Sequence, residues 1–509
     1  MSLLLLIFLT IMCLPIAWPK PLFGIEAEGS AAISGGIVAG LLLVARYFSH
    51  RTVARLSRDP AARESIARAH GLRRLSYFFL NLLGFALVLV SGWGWTVGQT
   101  LTVNDEYLPG AERYLPGAEL VILVPYFVSL IGSWALFFDA ERALHLSAPV
   151  VRGTFWTRGG YILFLLRQHL LIVLTPVFLM IAQLGTLRAF PWMLDSPWAK
   201  LAAFVVLFGF ILLLPSFVPF VLGLRPMPTG RVRDRLERAA TRLSVRYRGL
   251  HVWDTRENVA TAMVAGLFPR FRHIVFTDLL LSTMSDDEVE AVFGHEVGHV
   301  KHGHLFYYAA FLMLSFLTLG AAYRAVELAP GTTLPSGDFA LVATVLLTGI
   351  YLFFVFGFIS RKCERQADVY GCKTVSCANP ECGGHGMDTP LVPNGRGLCR
   401  TGVDIFVRAL ERVEEINGQT RDADRVVRRG LIGRFSGVLR FVGVSLATWQ
   451  HSTISKRVAF LKTLPGSNGG EQRFQMQVTL LRWGLFLFLS GTILGVSLWS
   501  GWRKMLEGV

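Results

Sequence analysis

A chain of 509 residues with 52% hydrophobic and only 17% charged residues departs from soluble domains, which carry about 25% charged residues, and points to lipid as the surrounding solvent. The formal net charge of +15 would suit nucleic acid, anionic lipid or loops gathered on one membrane face, but the basic residues cluster at Arg46–Arg74 and Arg225–Arg248, each beside a long apolar run. No base-reading element accompanies them, so nucleic acid is set aside as a partner. Six cysteines, five of them between Cys363 and Cys399, are too few and too unevenly placed for a disulfide scaffold.

Apolar runs of about 20 residues are long enough to cross the hydrocarbon as helices, because a helix rises about 1.5 Å per residue. Such runs, some shorter, fall at Leu3–Ala17, Ala31–Phe48, Tyr77–Val97, Leu120–Phe138, Leu170–Leu187, Leu201–Leu224, Leu305–Ala322, Phe339–Ile359 and Trp483–Trp499. They predict about nine crossings. The first reads either as a signal sequence or as a short anchor. Loops rich in arginine (Arg51 to Arg63, Arg142 to Arg158, Arg231 to Arg248) alternate with acidic ones such as that holding Asp105, Glu106, Glu112 and Glu119. That alternation predicts a multi-pass protein of the cell membrane with residues 225–304 and 360–482 in the cytoplasm. The chain then divides into a membrane region 1–224, a polar segment 225–304, two crossings in 305–359, a second polar segment 360–482, and a final crossing with its tail, 483–509. The tandem YLPGAE of Tyr107–Glu112 and Tyr114–Glu119 reads as a loop duplication without chemistry, and Thr463–Gln472 as a linker.

In the first polar segment, His273-Ile-Val-Phe-Thr277 has the β-branched and aromatic content of a strand, one that could pair with an extended peptide by edge addition. Ser285 with Glu288 three residues on is a capping box, so a helix is expected from Asp286 through His304. It carries His295-Glu296-Val297-Gly298-His299. Residues four apart stack on one helix face, so His295 and His299 can both offer a ring nitrogen to one zinc ion. Glu296, about 100° round the helix, sits beside the ion, where its carboxylate can take a proton from water. His302 shares that face, but its spacing suits a supporting or solvated role.

A catalytic zinc takes three protein ligands, so one more must come from elsewhere. Glu364 and Asp368, in Ser360–Asp368 at the end of a predicted crossing, share a helix face: Glu364 can bind the metal while Asp368 accepts a hydrogen bond from a ligand histidine. The bland alternative is a charged turn ending a membrane helix. Val403, Phe406, Val407, Leu410 and Val413 recur at helical spacing and predict an amphipathic helix.

With HEVGHVKHGH from His295, SRKCERQAD from Ser360 and HSTISKR from His451, the sequence resembles the membrane zinc peptidases that include the CAAX prenyl proteases and the bacterial heat-shock protease HtpX. The run from Asn258 to Leu280 is similar too, so the likeness covers residues 225–462. It implies a mainly α, polytopic membrane protein with a cytoplasmic gluzincin-type zinc peptidase domain containing a small β-sheet. It also implies His295, His299 and Glu364 as zinc ligands, Glu296 as general base, Asp368 behind a ligand histidine, and peptide-bond hydrolysis without a covalent intermediate. His451 and Arg457 match the late motif, where a histidine donates to the oxyanion; read alone, His451 fits an exposed helix start equally well. The partners implied are an extended polypeptide and the bilayer, and nothing in the sequence speaks to oligomeric state.

Two features depart from the family. The amino-terminal half carries more crossings than HtpX-like members need, as a substrate chamber or only an anchor. The insertion Cys372, Cys377, Cys382, His385, with Cys399 beyond, reads in a cytoplasmic setting either as a second, structural zinc site or as unliganded thiols. A metalloendopeptidase acting on membrane-associated, misfolded or lipid-modified polypeptides is the leading reading. A scaffold or transporter that kept a zinc site is the alternative from another class; it has few intramembrane charges to work with and no need of Glu296.

Overall fold

The computed structural model describes residues 26–101, 118–148, 153–170, 196–328, 338–386, 389–395, 397–417, 452–465 and 469–500. Contacts divide the chain into two units, Met1–Gly209 with Gly337–Val345 and Val427–Ala447, and Phe210–Ser336 with Leu346–Val426 and Thr448–Val509. The expected features at residues 3–17, 107–117 and 171–187 lie outside the described residues.

The first unit is helical: α1 (Ala27–Arg58), α2 (Arg63–Val90), α3 (Trp93–Thr100), α4 (Ala118–Ile122), α5 (Val124–Leu146) and α6 (Arg158–Leu165). α1 lies along α2 and α5, whose Gly84 and Gly132 leave room for Leu41 and Leu42; a Cβ at either glycine would come within 2.7 Å of those leucines. The crossing expected at Tyr77–Val97 is displaced. Its helix starts at Arg63, because Arg63 reaches the Leu144 carbonyl, Arg73 the Thr52 hydroxyl and Arg74 the Glu141 carboxylate, and it ends at Val90, where Gly92 turns the chain at φ 91°. His70 Nε2 joins the Glu141 carboxylate at 3.1 Å.

The chain enters the second unit within α7 (Pro197–Leu213). The expected run to Leu224 is broken there by a 3-10 turn around Pro215 before α8 (Val218–Leu222), since proline cannot donate to the helix. There follow β1 (Arg225–Pro226), α9 (Arg231–Arg242), β2 (Gly249–Trp253), β3 (Ala262–Ala265), β4 (His273–Thr277), α10 (Asp278–Thr283), α11 (Asp286–Lys301), α12 (His304–Leu328), α13 (Asp338–Thr374), α14 (Arg400–Ile416), α15 (Ile454–Lys462) and α16 (Gly470–Ser500). The sheet runs β1-β2-β4-β3, with β2 and β4 parallel and the outer strands antiparallel to their neighbours. The strand expected at His273–Thr277 is therefore interior and buried at every residue, and cannot accept a further strand; the edges are the two-residue β1 and β3.

Beneath the sheet, Leu236 of α9 and Leu243, the residue that caps it, meet Ile274 and Phe276 of β4 and Val289, Phe293 and Val297 of α11 in one core. Arg235 and Arg242 of α9 both bind the buried Glu290 of α11, and Arg242 also caps the Thr374 carbonyl that ends α13. Part of the basic block of 225–248 thus serves as ion-pair partners inside the unit. Among the described residues, Ala27–Arg58, Pro60–Val90, His304–Tyr323 and Gly470–Trp499 are long and apolar enough to cross a membrane. α16 leaves Leu480, Leu487, Phe488 and Leu498 exposed, as a lipid-facing helix does. The protein is a mainly α-helical membrane protein with a small mixed sheet.

Candidate metal centre

The capping box forms as its residues require: Ser285 Oγ accepts from the Glu288 amide, and the Glu288 carboxylate accepts from the Ser285 amide at 2.9 Å. α11 stops at Lys301 instead of His304. Gly303, at φ 63°, reverses the chain there, and His304 opens α12 facing back toward α11.

The second contributor is α13. Its expected crossing, Phe339–Ile359, is part of one 37-residue helix that runs on through Glu364 and Asp368. α11 and α13 meet at a seam of glycines. A Cβ on Gly294 would fall 2.2 Å from Thr374 Oγ1, and one on Gly298 would fall 2.9 Å from the Ala367 Cα. Bare backbone at these positions is what lets the Glu364 carboxylate reach the two imidazoles.

His295 Nε2 and His299 Nε2 lie 3.2 Å apart, and the Glu364 oxygens lie 3.7 Å and 3.6 Å from them respectively. The imidazoles are 12% exposed and Glu364 5%. Ligands about 2.0–2.2 Å from one tetrahedral ion are separated by about 3.3–3.6 Å, so this triangle is close to the size a metal ion imposes.

Neighbouring polar atoms bear on the tautomers of the two imidazoles. His295 Nδ1 lies 3.0 Å from Asp368 Oδ1, so the proton belongs on Nδ1. His299 Nδ1 faces His304 Nδ1 at 3.0 Å, while His304 Nε2 faces Gln366 Oε1 at 3.2 Å, and the Gln366 amide donates to Gln475 Oε1. The glutamine oxygen can only accept. His304 therefore carries its proton on Nε2 and accepts at Nδ1 from His299. The two Nε2 atoms face each other over 3.2 Å, next to the Glu364 carboxylate. A cation resolves that arrangement, and the donor set fits a divalent metal.

Asp368, fully buried, is gripped by Arg457 of α15 through both oxygens, with Nε to Oδ2 at 2.8 Å. Burial alone would push the Asp368 carboxyl up, but Arg457 and then His295 hold it below the ordinary carboxylate range. Burial likewise works against a charged His295, yet Asp368 and Glu364 leave its pKa raised. Phe406 of α14 stacks on the His295 ring at 5.8 Å and 17°. Glu296 Oε2 accepts from the Val264 amide at 2.9 Å, which ties the carboxylate beside the metal group to the edge strand β3.

Of the residues singled out in the sequence, His295, Glu296, His299, Glu364, Asp368 and Arg457 converge here, and His451 lies outside the described residues. His302 is apart: it stacks on His304 and meets Tyr370 edge-on. Cys377, Cys382, His385 and Cys399 form a separate group, whereas Cys372 packs in an apolar cluster with Val369, Val375, Val403 and Phe406. Sequence reasoning passed over His304, Gln366 and Val264; the signal for His304 was the Gly303-His304 pair closing HEVGHVKHGH.

Fold and site together define a membrane-spanning helical protein with a candidate metal centre, and residues 226–381 match the model of peptidase family M48. Its relatives include an Arabidopsis thaliana CAAX prenyl protease 1 homolog, 29% identical over 178 residues, which cover 32% of this chain and 40% of the relative. A Picrophilus torridus protease HtpX homolog is 32% identical over 106 residues, covering 20% and 34% of the two chains. The alignments thus span well under half the length of the curated relatives. The crystal structure of S. mikatae Ste24p shares the fold at a TM-score of 0.50 and 16% identity, over 85% of this chain and 98% of that one.

Proposed function

We propose that this protein is a zinc-dependent endopeptidase of the membrane that cleaves membrane-associated, misfolded or lipid-modified polypeptides. The observation carrying the reading is the convergence of His295 Nε2, His299 Nε2 and the buried Glu364 carboxylate from α11 and α13, with Glu296 alongside. His295, His299 and Glu364 would hold the zinc, and Asp368 with Arg457 would fix the His295 tautomer. Zinc, when bound, supplies Lewis acidity that polarises a peptide carbonyl and makes a water more acidic.

The remaining steps belong to the chain. Glu296 takes the proton of the attacking water and delivers it to the leaving amine, which requires the carboxylate to be ionised at the start. The edge of β3 offers main-chain groups to an extended peptide, and the Val264 amide keeps Glu296 aimed. A pocket of about 200 Å³ between Val264, Leu267, Phe268, His299 and Phe306 would take an apolar side chain of the substrate. The arginine-rich loops support a cytoplasmic position for this unit. The lipid-modified class rests on the relatives' names.

The test is Glu296→Gln in detergent-purified protein, assayed on an unfolded protein and on a prenylated peptide. Zinc content should stay at the wild-type level while cleavage falls by roughly 10²–10⁴-fold. Wild-type turnover in that variant would overturn the mechanism, and the better of the two substrates in wild type identifies the class.

A further inference from the structure

Between the end of α13 and the start of α14 the chain makes a compact excursion of residues 375–399. A short bridge pairs Cys377 with Leu391, the Val392 amide bonds the Ser376 carbonyl, and the Arg400 amide bonds the Pro380 carbonyl. The cluster at its centre is unusual: Cys377, Cys382 and Cys399, all buried, with no aliphatic side chain among them.

Disulfide chemistry is a poor account of it. Three thiols cannot all pair within the group, and the ring of His385 has no place in such a scheme. His385 Nε2 instead lies 3.5 Å from Cys382 Sγ and 3.4 Å from Cys399 Sγ, and the four ligand atoms all fall within 4.8 Å of one another. Three sulfurs and one nitrogen round a tetrahedral zinc, at about 2.3 Å and 2.0–2.1 Å from it, stand about 3.5–3.8 Å apart. The surroundings of Cys399 favour thiolate: it is the N-cap of α14, and its sulfur accepts from the Gly402 amide at 3.2 Å.

We propose that Cys377, Cys382, Cys399 and His385 bind a second zinc ion, closed to substrate, that clamps the end of α13 to the start of α14. The clamp bears on the candidate catalytic centre at one remove. α13 carries Glu364 and Asp368, α14 carries the Phe406 ring that backs His295, and the zinc would join the two helices at their adjacent ends. Cys372 is not a ligand; it belongs to the apolar packing between the same helices. A soft, sulfur-rich tetrahedral set selects zinc over magnesium or calcium.

Metal counting and cobalt spectroscopy on the full-length protein test this separately from the proposed activity. Wild type should hold about two zinc ions per chain, His299→Ala about one, and His299→Ala with Cys399→Ser about none. Cobalt-substituted His299→Ala should show the sulfur-to-cobalt charge-transfer band in the near ultraviolet, which the nitrogen and oxygen donors of the other centre cannot give. A single zinc in wild type that vanishes in His299→Ala overturns the second site and leaves the catalytic reading standing. A single zinc that survives His299→Ala and gives the sulfur band supports this site and counts against the other. Should the Cys399 variant fail to fold, the wild-type metal count and the His299→Ala cobalt spectrum still decide. Absence of the sulfur band, or a disulfide within the group on thiol titration of denatured protein, refutes the proposal.

Discussion

Asp368→Asn isolates the part of the site that sets the tautomer. Asp368 Oδ1 serves His295 Nδ1 and one Arg457 nitrogen together, and Oδ2 serves Arg457 Nε at 2.8 Å. An amide of the same shape can keep its oxygen toward His295 only by turning its NH2 onto Arg457 Nε–H, donor against donor. The opposite flip sets the NH2 against His295 Nδ1–H. Either way a buried donor is left unmatched, at a cost of about 1–3 kcal/mol in stability. Arg457 also loses its neutralising charge and gains reason to approach Glu364, whose Oε2 is already 3.9 Å away, in competition with the metal. Loss of such a supporting carboxylate weakens metal binding by about 10–100-fold, or about 1.4–2.7 kcal/mol. Competition for zinc against a graded series of chelators reads this directly. A variant whose zinc affinity stays within about twofold of wild type, with the protein folded, would show that Asp368 does not orient the ligand.

Other substitutions probe the neighbouring links. His304→Phe removes the acceptor for His299 Nδ1–H and should weaken zinc about tenfold in the same competition; unchanged affinity would show that the His304–Gln366–Gln475 chain is idle. Gly298→Ala drives a methyl against Ala367 and Tyr370 and should cost about 1–3 kcal/mol, read as a lower melting temperature together with looser zinc binding, and a neutral result would deny that the seam is tight. In the first unit, Glu141 lies three residues beyond the apolar stretch Leu120–Phe138; burial would raise its pKa, but His70 and Arg74 bring it down to about 2. A depressed carboxylate adds stability above its unfolded pKa and loses it as pH falls toward the folded value. Glu141→Gln should therefore be less stable than wild type near neutrality, by at most about 3 kcal/mol, with the gap closing between about pH 4.5 and 2; a gap constant with pH refutes the assignment.

Much of this site could be read from local rules. The Ser285–Glu288 box, the four-residue spacings of His295 with His299 and of Glu364 with Asp368, and the amphipathic α14 each depend on residues within a few turns of one another. What escaped depends on distant partners or on single backbone angles. The sequence of β4 marked it as a strand but could not say that β3, a plain Ala-Met-Val-Ala, would cover it and become the edge. α2 begins well before its apolar run because its arginines have partners on α1 and α5, which spacing does not reveal. His304 appeared to continue a helix that Gly303 ends.

The glycine seam between α11 and α13 also bears on how the protein matures. Because Gly294 packs on the Thr374 side chain and Gly298 on the Ala367 backbone, helix packing itself brings His295, His299 and Glu364 together. Stripping the metal from this centre should thus leave an intact, reloadable shell, unlike small metallo-domains that unravel once chelated.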